Sequence, residues 1–201
     1  MHIFLETLKT QRWDDHRYYH HSLINQSLHL FSATSFICVY ALLFWQPAIA
    51  ALIAWMVSMT SRQMGHFFFE PKGYDHVNQV THEYKEAVKV GYNLRRKVVL
   101  HTICGLTPLA LYFDPTLFGI MRPWDGVSGF FHNLGLIWLF LGIGGLVFRC
   151  VQLWVIDDLL TGLAWVVKIA TDPFNDIKLY YKAPYMLLRA GVANELALRH
   201  R

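Results

Sequence analysis

Residues 28–69 have the sequence LHLFSATSFICVYALLFWQPAIAALIAWMVSMTSRQMGHFFF, and this stretch decides the fold. It contains two apolar segments, 28–45 and 48–69, and each approaches the about 20 helical residues that cross a bilayer. Only Gln46 and Pro47 separate the two segments. A connection this short allows only a tight turn, and the sequence therefore predicts a hairpin of two antiparallel helices.

Further apolar segments follow the hairpin. Residues 98–113, which include Pro108, and residues 134–156 are long enough, or nearly so, to span a membrane, whereas 159–170 is too short. We therefore predict an all-α, polytopic membrane protein with about four transmembrane helices plus interfacial helices, as a single integral membrane domain over 1–201. Its parts in chain order are a helical hairpin at 28–69, a cytosolic cap at 70–97, two further spans within 98–156 and an interfacial tail at 157–201.

The composition agrees with a membrane protein. Apolar residues make up 54% of the chain and charged residues only 16%, whereas soluble domains average about 25% charged residues. This excludes intrinsic disorder and argues against an ordinary soluble enzyme. The three cysteines have no C-x-x-C spacing, which argues against a disulfide scaffold or a zinc finger. The net charge of +4 suits an anionic lipid bilayer, and without a dense basic stripe no nucleic-acid partner is expected.

Basic residues indicate which side of the membrane each loop faces. The turn at 46–47 carries no Lys or Arg, and the connection at 114–133 carries only Arg122. The other side receives most of the basic residues before the tail: Lys9, Arg12, Arg17, Lys72, Lys85, Lys89, Arg95, Arg96 and Lys97. By the positive-inside rule that side is cytosolic. Both termini are therefore expected in the cytosol, with the protein in a bacterial inner membrane or the endoplasmic reticulum.

The eleven histidines are distributed unevenly. In this topology most of them lie at the cytosolic end of the predicted bundle: His16, His20, His21, His29, His66, His76, His82 and His101. His21, Asn25 and His29 are spaced by four residues, which places them on one face of a helix. His66 and Glu70 repeat this spacing on the returning helix. The sequence thus predicts a cluster of polar, ionisable side chains at one end of the hairpin.

This cluster has the chemistry of a metal site. Imidazole nitrogens and carboxylate oxygens bind iron, zinc and copper, and two histidines with one carboxylate are typical of non-haem Fe(II) oxygenases. Gly65 would let another helix approach His66 closely. One histidine at a membrane interface is usually just solvated, but here several from distant positions meet at one end of one hairpin. Burying them costs several kcal/mol unless they have partners, so we predict a functional site.

Two motifs in this region resemble those of a known family. Residues 19–29 are YHHSLINQSLH and residues 65–71 are GHFFFEP. Together they resemble the Mpo-type family of membrane 2-hydroxy fatty acid dioxygenases, whose pattern is roughly Y-H-x-x-P-x-N-x-x-x-H and then G-H-x-x-x-E. Leu23 stands where the family has proline. The resemblance implies an Fe(II)-dependent enzyme, with one iron per chain, that uses O2 to shorten a 2-hydroxy long-chain fatty acid by one carbon (α-oxidation).

A hypothesis for individual residues follows from the motifs and the spacing. The metal ligands are His29, His66 and either His20 or His21, because the family motif selects His20 while the spacing on a straight helix favours His21. The other assignments are Glu70 and Asn25 at the catalytic site, His82 as a further ligand from the cap, and Arg62 and Lys72 as binding groups for the substrate carboxylate. Asn25 is expected to fix a histidine ring rather than to bind the metal. The acyl chain would lie among the spans, and an oligomer is compatible with the sequence.

Other functions fit parts of the same pattern. A di-iron membrane hydroxylase or desaturase would carry H-x-x-x-H and H-x-x-H-H groups, and His16, His20 and His21 match the first, although no H-x-x-H-H follows. Such an enzyme would hold two irons per chain instead of one. A non-enzymatic alternative is a membrane scaffold, or a haem-binding protein in which His29 and His66 are the two axial ligands.

Overall fold

The computed structural model describes residues 2–70 and 73–191, and within them the protein is helical with no β-strand. The α-helices are α1 (His2–Tyr19), α2 (Leu23–Leu42), α3 (Pro47–Ile53), α4 (Thr60–Phe69), α5 (His82–Val88), α6 (Leu94–Phe113), α7 (Gly126–Ile156), α8 (Leu159–Tyr180) and α9 (Ala183–Ala190). A π-helical segment, Ala54–Met59, joins α3 to α4. The prediction of an all-α protein is confirmed.

The predicted hairpin is present, with α2 as one arm and α3, the π-helical segment and α4 as the other. Pro47 occupies the first turn of α3, where its missing N–H is not needed and its fixed φ suits a helix start. Ser58 of the π-helical segment ties the arms together. Its carbonyl accepts a hydrogen bond from Ser32 Oγ (2.7 Å), and its hydroxyl lies 2.7 Å from that of Ser35.

The number of spans, about four, stays a prediction. By length and composition, α7 is the one helix in the described part of the chain that is long and apolar enough to cross a membrane. It begins at Gly126, well before the predicted start at 134. The hairpin arms are less apolar because α2 contains Asn25 and His29, and α4 contains Arg62 and His66. The polar residues that build the candidate site therefore reduce the apolar character of the helices that carry them.

The apolar segment at 159–170, predicted to be too short to span a membrane, is the first part of a longer helix. Helix α8 runs over 22 residues, from Leu159 to Tyr180, and continues through Pro173. Asp172 and Asp176 end the apolar pattern in the sequence, but both are buried and paired with cations, so they do not end the helix. The remainder of the predicted tail beyond residue 191 lies outside the described residues.

The sequence patterns do not predict α1, which packs along α8. Gln11 Nε2 donates a hydrogen bond to the Thr161 carbonyl (3.1 Å), and Lys168 pairs with Asp15 (2.9 Å). Together α1 and α8 cover the side of the hairpin on which the histidines lie. A hydrophobic core occupies the other end of the bundle, between α6 and α7, and consists of Cys104, Leu111, Leu134, Ile137 and Trp138.

Candidate metal centre

Three buried imidazoles converge at one end of the hairpin. His20, His29 and His66 are 3%, 0% and 6% exposed, and each offers a ring nitrogen that lies within 4.8 Å of those of the other two. The ring centroids are 4.0 Å apart for His20 and His29, 4.9 Å for His29 and His66, and 5.5 Å for His20 and His66. The three rings come from the link between α1 and α2, from α2 and from α4.

His20 reaches this group because it lies in a break between two helices. Helix α1 ends at Tyr19 and α2 begins at Leu23, with the Ser22 side chain accepting a hydrogen bond from the Ile24 N–H (3.2 Å). Asn25 Nδ2 donates to the Tyr19 carbonyl, and Gln26 Nε2 donates to the His20 carbonyl, both at 2.8 Å. These bonds satisfy carbonyls that the end of α1 leaves without helical partners, and so stabilise the break.

Of the five predicted histidine ligands, His21 and His82 lie outside the group. His21 turns away, and its Nε2 lies 3.5 Å from the Asp75 carboxylate. The four-residue spacing that favoured it applies only within a helix, and α2 begins after His21. His82 is the first residue of α5 and is not one of the three histidines of this group. The choice that the sequence left open therefore falls on His20.

Gly65 allows the two arms of the hairpin to approach at this point. A Cβ at position 65 would collide with Asn25 Oδ1 and would lie 3.3 Å from a carbon of the His29 ring. Glycine is therefore the residue that lets α4 pack directly against α2 here, which brings His66 beside His29. The expectation from the sequence, a close helix approach at Gly65, agrees with this packing.

Hydrogen bonds at Nδ1 orient two of the rings. His66 Nδ1–H donates to Glu70 Oε2 (2.7 Å), and the other oxygen of Glu70 accepts from Lys89 Nζ (3.0 Å). His20 Nδ1 lies 2.8 Å from the Tyr180 hydroxyl. Histidines that bind metals commonly use one ring nitrogen for such a partner and the other for the ion. In the described structure, Nε2 of His20 is buried without a hydrogen-bond partner.

His29 is held differently. Neither of its ring nitrogens has a hydrogen-bond partner in the described structure, and Nδ1 lies 3.6 Å from Asp176 Oδ2. The same oxygen of Asp176 accepts a hydrogen bond from Arg62 (2.8 Å). Burial raises the pKa of Asp176, but the Arg62 guanidinium and the neighbouring histidines together outweigh burial and hold that pKa well below its usual value. A carboxylate that remains charged therefore faces the His29 ring.

Burial also determines the protonation of His20. The pKa of His20 lies well below its ordinary value, mainly because the ring is buried and also because His29 lies beside it. The imidazole is consequently neutral at neutral pH. Neutral imidazole is the form that binds a metal ion, because the ligating nitrogen needs its lone pair.

The other predicted site residues have supporting positions. Glu70 contacts His66, and Asn25 holds the backbone break without bonding to a histidine ring. Arg62 is engaged by Asp176 and lies 3.5 Å from Asp172. Lys72 lies outside the described residues. Glu70, Asn25 and Arg62 therefore surround the histidine group, and none of them belongs to it.

Sequence reasoning missed the contribution of α8. Asp172 and Asp176 anchor Arg62, Lys168 binds Asp172 (2.6 Å), and Tyr180 binds His20. These four residues of α8, at 168, 172, 176 and 180, are spaced by four and therefore share one helix face. The same spacing that drew attention to His21 and His29 was a signal for this face as well.

A cavity of about 430 Å³ adjoins the histidine group, within the about 300–1,000 Å³ usual for small-molecule sites. Its polar lining near the group includes His66, Arg62 and Lys97. The other walls are largely apolar and come from both hairpin arms, α6, α7 and α8; they include Val39, Leu43, Trp55, Leu100, Trp138 and Trp165. A long apolar molecule with a polar end near His66 matches this lining.

The donor set fits a bound metal ion. Three buried imidazoles have ligand chemistry that suits iron, zinc or copper, and within the described residues His20 Nε2 and both ring nitrogens of His29 have no hydrogen-bond partner. The structure therefore provides a group that could hold a metal ion, without showing which metal. No family model, curated protein or solved structure matches the chain.

Proposed function

We propose that this protein is a membrane-embedded, Fe(II)-dependent dioxygenase that shortens 2-hydroxy long-chain fatty acids by one carbon. The observation that carries the proposal is the convergence of His20, His29 and His66 beside a largely apolar cavity. The resemblance of the two motifs to Mpo-type enzymes supplies the substrate and the reaction. The donor set supplies an independent reason to expect a metal.

His20, His29 and His66 would hold the iron through ring nitrogens. Three protein ligands leave positions for an α-hydroxy-carboxylate and for dioxygen, which is the arrangement of catalytic rather than structural metal sites. Iron, when bound, supplies the redox chemistry that activates oxygen.

The chain itself orients these ligands. Glu70 accepts a hydrogen bond from Nδ1–H of His66, which leaves the Nε2 lone pair of that ring free, and Lys89 holds Glu70 in place. The Tyr180 hydroxyl on α8 is hydrogen-bonded to His20 Nδ1 and orients that ring. The Asp176 carboxylate lies beside His29 and is kept charged by its ion pair with Arg62, so it favours a cation at the centre. These residues position the ligands and make no contact with substrate in this mechanism.

A lipid environment explains the apolar surface of the remaining helices. Helix α6 exposes Val99, Ile103, Leu106 and Leu109, each about half exposed. Apolar patches of this kind are rare on soluble proteins and are covered in a bilayer. We take both hairpin arms, α6 and α7 as the four spans, with the histidine end in the cytosol. The substrate would then enter the cavity from the membrane that already contains it.

The geometry gives less support to the other functions. In residues 2–70 and 73–191 one group of three possible metal ligands is present, whereas a di-iron enzyme needs more ligands than three to hold two ions. For the haem alternative, the rings of His29 and His66 lie 4.9 Å apart, which leaves no space for a flat macrocycle between them.

Metal analysis combined with turnover tests the proposal. We expect about one iron per chain in the purified protein and O2-dependent shortening of 2-hydroxypalmitate. His29→Ala and His66→Ala should lose both iron and turnover. His132→Ala is the matched control, because His132 is exposed and lies near the start of α7 at the opposite end. If the His29 and His66 variants keep wild-type iron and activity, the assigned centre is wrong.

A further inference from the structure

The cavity contains polar groups that the metal ligands leave unused. Lys97 and His101 lie one helical turn apart on α6, and Gln63 lies on α4 one turn before His66. All three line the cavity together with His66. Gln63 and Lys97 are only 7% and 8% exposed.

Lys97 differs from the other cations that line the cavity. Lys89 pairs with Glu70 and Glu86, Lys168 pairs with Asp15 and Asp172, and Arg62 pairs with Asp172 and Asp176. The Lys97 ammonium makes no hydrogen bond or ion pair with any residue in 2–70 or 73–191. Buried cations are rarely left unpaired, because desolvation costs several kcal/mol. The cavity therefore presents one cation that lacks an anionic partner.

Lys97 directly precedes the apolar segment at 98–113 and lines the cavity together with His66. It therefore lies where the apolar part of α6 begins.

Two other side chains of the cavity lining offer hydrogen-bond acceptors. His101 Nδ1–H donates to the Lys97 carbonyl (2.7 Å), so in the neutral ring Nε2 carries a lone pair, and that nitrogen is buried without a partner among the described residues. Gln63 Oε1 is likewise buried with no hydrogen-bond partner within them. The polar end of the cavity thus combines one cation with two free acceptors. An anionic group of a ligand can pair with the Lys97 ammonium. Gln63 Oε1 and His101 Nε2 need a hydrogen-bond donor, such as a hydroxyl group.

We propose that Lys97 binds the carboxylate of a long-chain acid in this cavity, and that Gln63 and His101 select acids with a hydroxyl beside the carboxylate. The inference rests on the proposed function for the position of the ligand's reacting end near His66. It adds the groups that recognise the substrate, which are distinct from those that hold the metal. An unsubstituted fatty acid offers no donor to the two acceptors and leaves them unpaired, which lowers its affinity.

Ligand binding without turnover tests the role of Lys97. The full chain in detergent is titrated under nitrogen with 2-hydroxypalmitate or with 1,2-hexadecanediol, its uncharged analogue, and quenching of the cavity tryptophans reports binding. We expect wild-type protein to bind the acid about 10- to 100-fold more tightly than the diol, as charged hydrogen bonds do. Lys97→Met should abolish this preference and leave diol binding unchanged, and Lys97→Arg should retain part of it.

Arg95→Met is the matched control, because it removes an exposed positive charge two residues away on the same helix. It should retain the preference. The role of Lys97 is overturned if Lys97→Met keeps the preference, or if wild-type protein binds diol and acid equally. The wild-type comparison requires no variant, so misfolding of Lys97→Met cannot obscure the answer.

The acceptors are tested in the same assay with palmitate in place of the diol. Wild-type protein should prefer 2-hydroxypalmitate to palmitate by about 5- to 20-fold, and Gln63→Leu should reduce that preference. An unchanged preference in Gln63→Leu would remove Gln63 from the recognition site. All titrations are repeated after treatment with a chelator. Because Lys97 and Gln63 act on ligand binding, the effects of their substitution should persist in the chelator-treated protein. This holds even if the iron or the turnover of the proposed function is not found.

Discussion

The two ends of the helix bundle satisfy their buried polar groups very differently. At the apolar end, around Trp138, the indole N–H groups of one buried and two half-buried tryptophans have carbonyl partners: Trp55 donates to Trp138, Trp138 to Cys104 and Trp124 to Leu111, at 3.0–3.1 Å. At the histidine end, buried polar atoms of His20, Asn25, His29, Gln63 and His101 have no partner in the described structure.

This difference shows where the protein gives up stability for function. Buried polar atoms without partners typically cost about 1–3 kcal/mol each, so a protein keeps a cluster of them only where something else binds them. The apolar end follows the ordinary rules of a stable core. The histidine end departs from those rules at the positions where a metal and a polar ligand would bind.

The largest expected effect separates stability from metal binding. Leu111→Ala removes a fully buried side chain from the core at the apolar end and should lower the free energy of unfolding by about 2–5 kcal/mol. Leu106→Ala, on the same helix but about half exposed, is the control and should cost much less. Thermal unfolding in detergent measures the stability of each variant. Metal analysis of the same samples should show no change in metal content. A loss of metal in Leu111→Ala would show that the two ends are coupled.

A second variant, at the contact between the hairpin arms, should lower metal binding as well as stability. Gly65→Ala places a methyl group against Asn25 and His29, and it should cost about 1–3 kcal/mol of stability as well as metal affinity. Gly105→Ala is the control, because nothing lies within 4 Å of a Cβ built there. In a helix interior that change should be neutral or stabilising by up to about 1 kcal/mol. Normal metal binding by Gly65→Ala would mean that the close approach is not needed for the centre.

The smallest effect on folding is expected from Glu70→Gln. This variant keeps an acceptor for His66 Nδ1 but removes the negative charge, so metal affinity should fall about 10- to 100-fold with little change in unfolding temperature. Glu86→Gln removes the other carboxylate that contacts Lys89 and leaves His66 untouched. Metal titration of both proteins measures the difference. Equal affinities would exclude Glu70 as a positioning residue for His66.

Local sequence patterns were sufficient for several features. The short Gln46–Pro47 connection predicted the hairpin, and helical spacing predicted that His29 and His66 lie near its end. These predictions succeed because helix periodicity and turn length depend on residues only a few positions apart. The same reasoning fails for His21, because it extends the helix backwards across a break that depends on the Ser22, Asn25 and Gln26 side chains.

The sequence by itself determined the helical class, the hairpin and the enrichment of histidine at one end. Only the tertiary structure decided that His20 joins the group, that Tyr180, 160 residues away, orients it, and that Lys97 lines the cavity with no ion-pair partner among residues 2–70 and 73–191. The physical reason is that the spacing of residues along a helix specifies which face of that helix a side chain occupies, but not which neighbouring helix packs against that face. The packing of α4 and α8 against α2, and of α1 against α8, decides which faces meet, and the chemistry of the site depends on it.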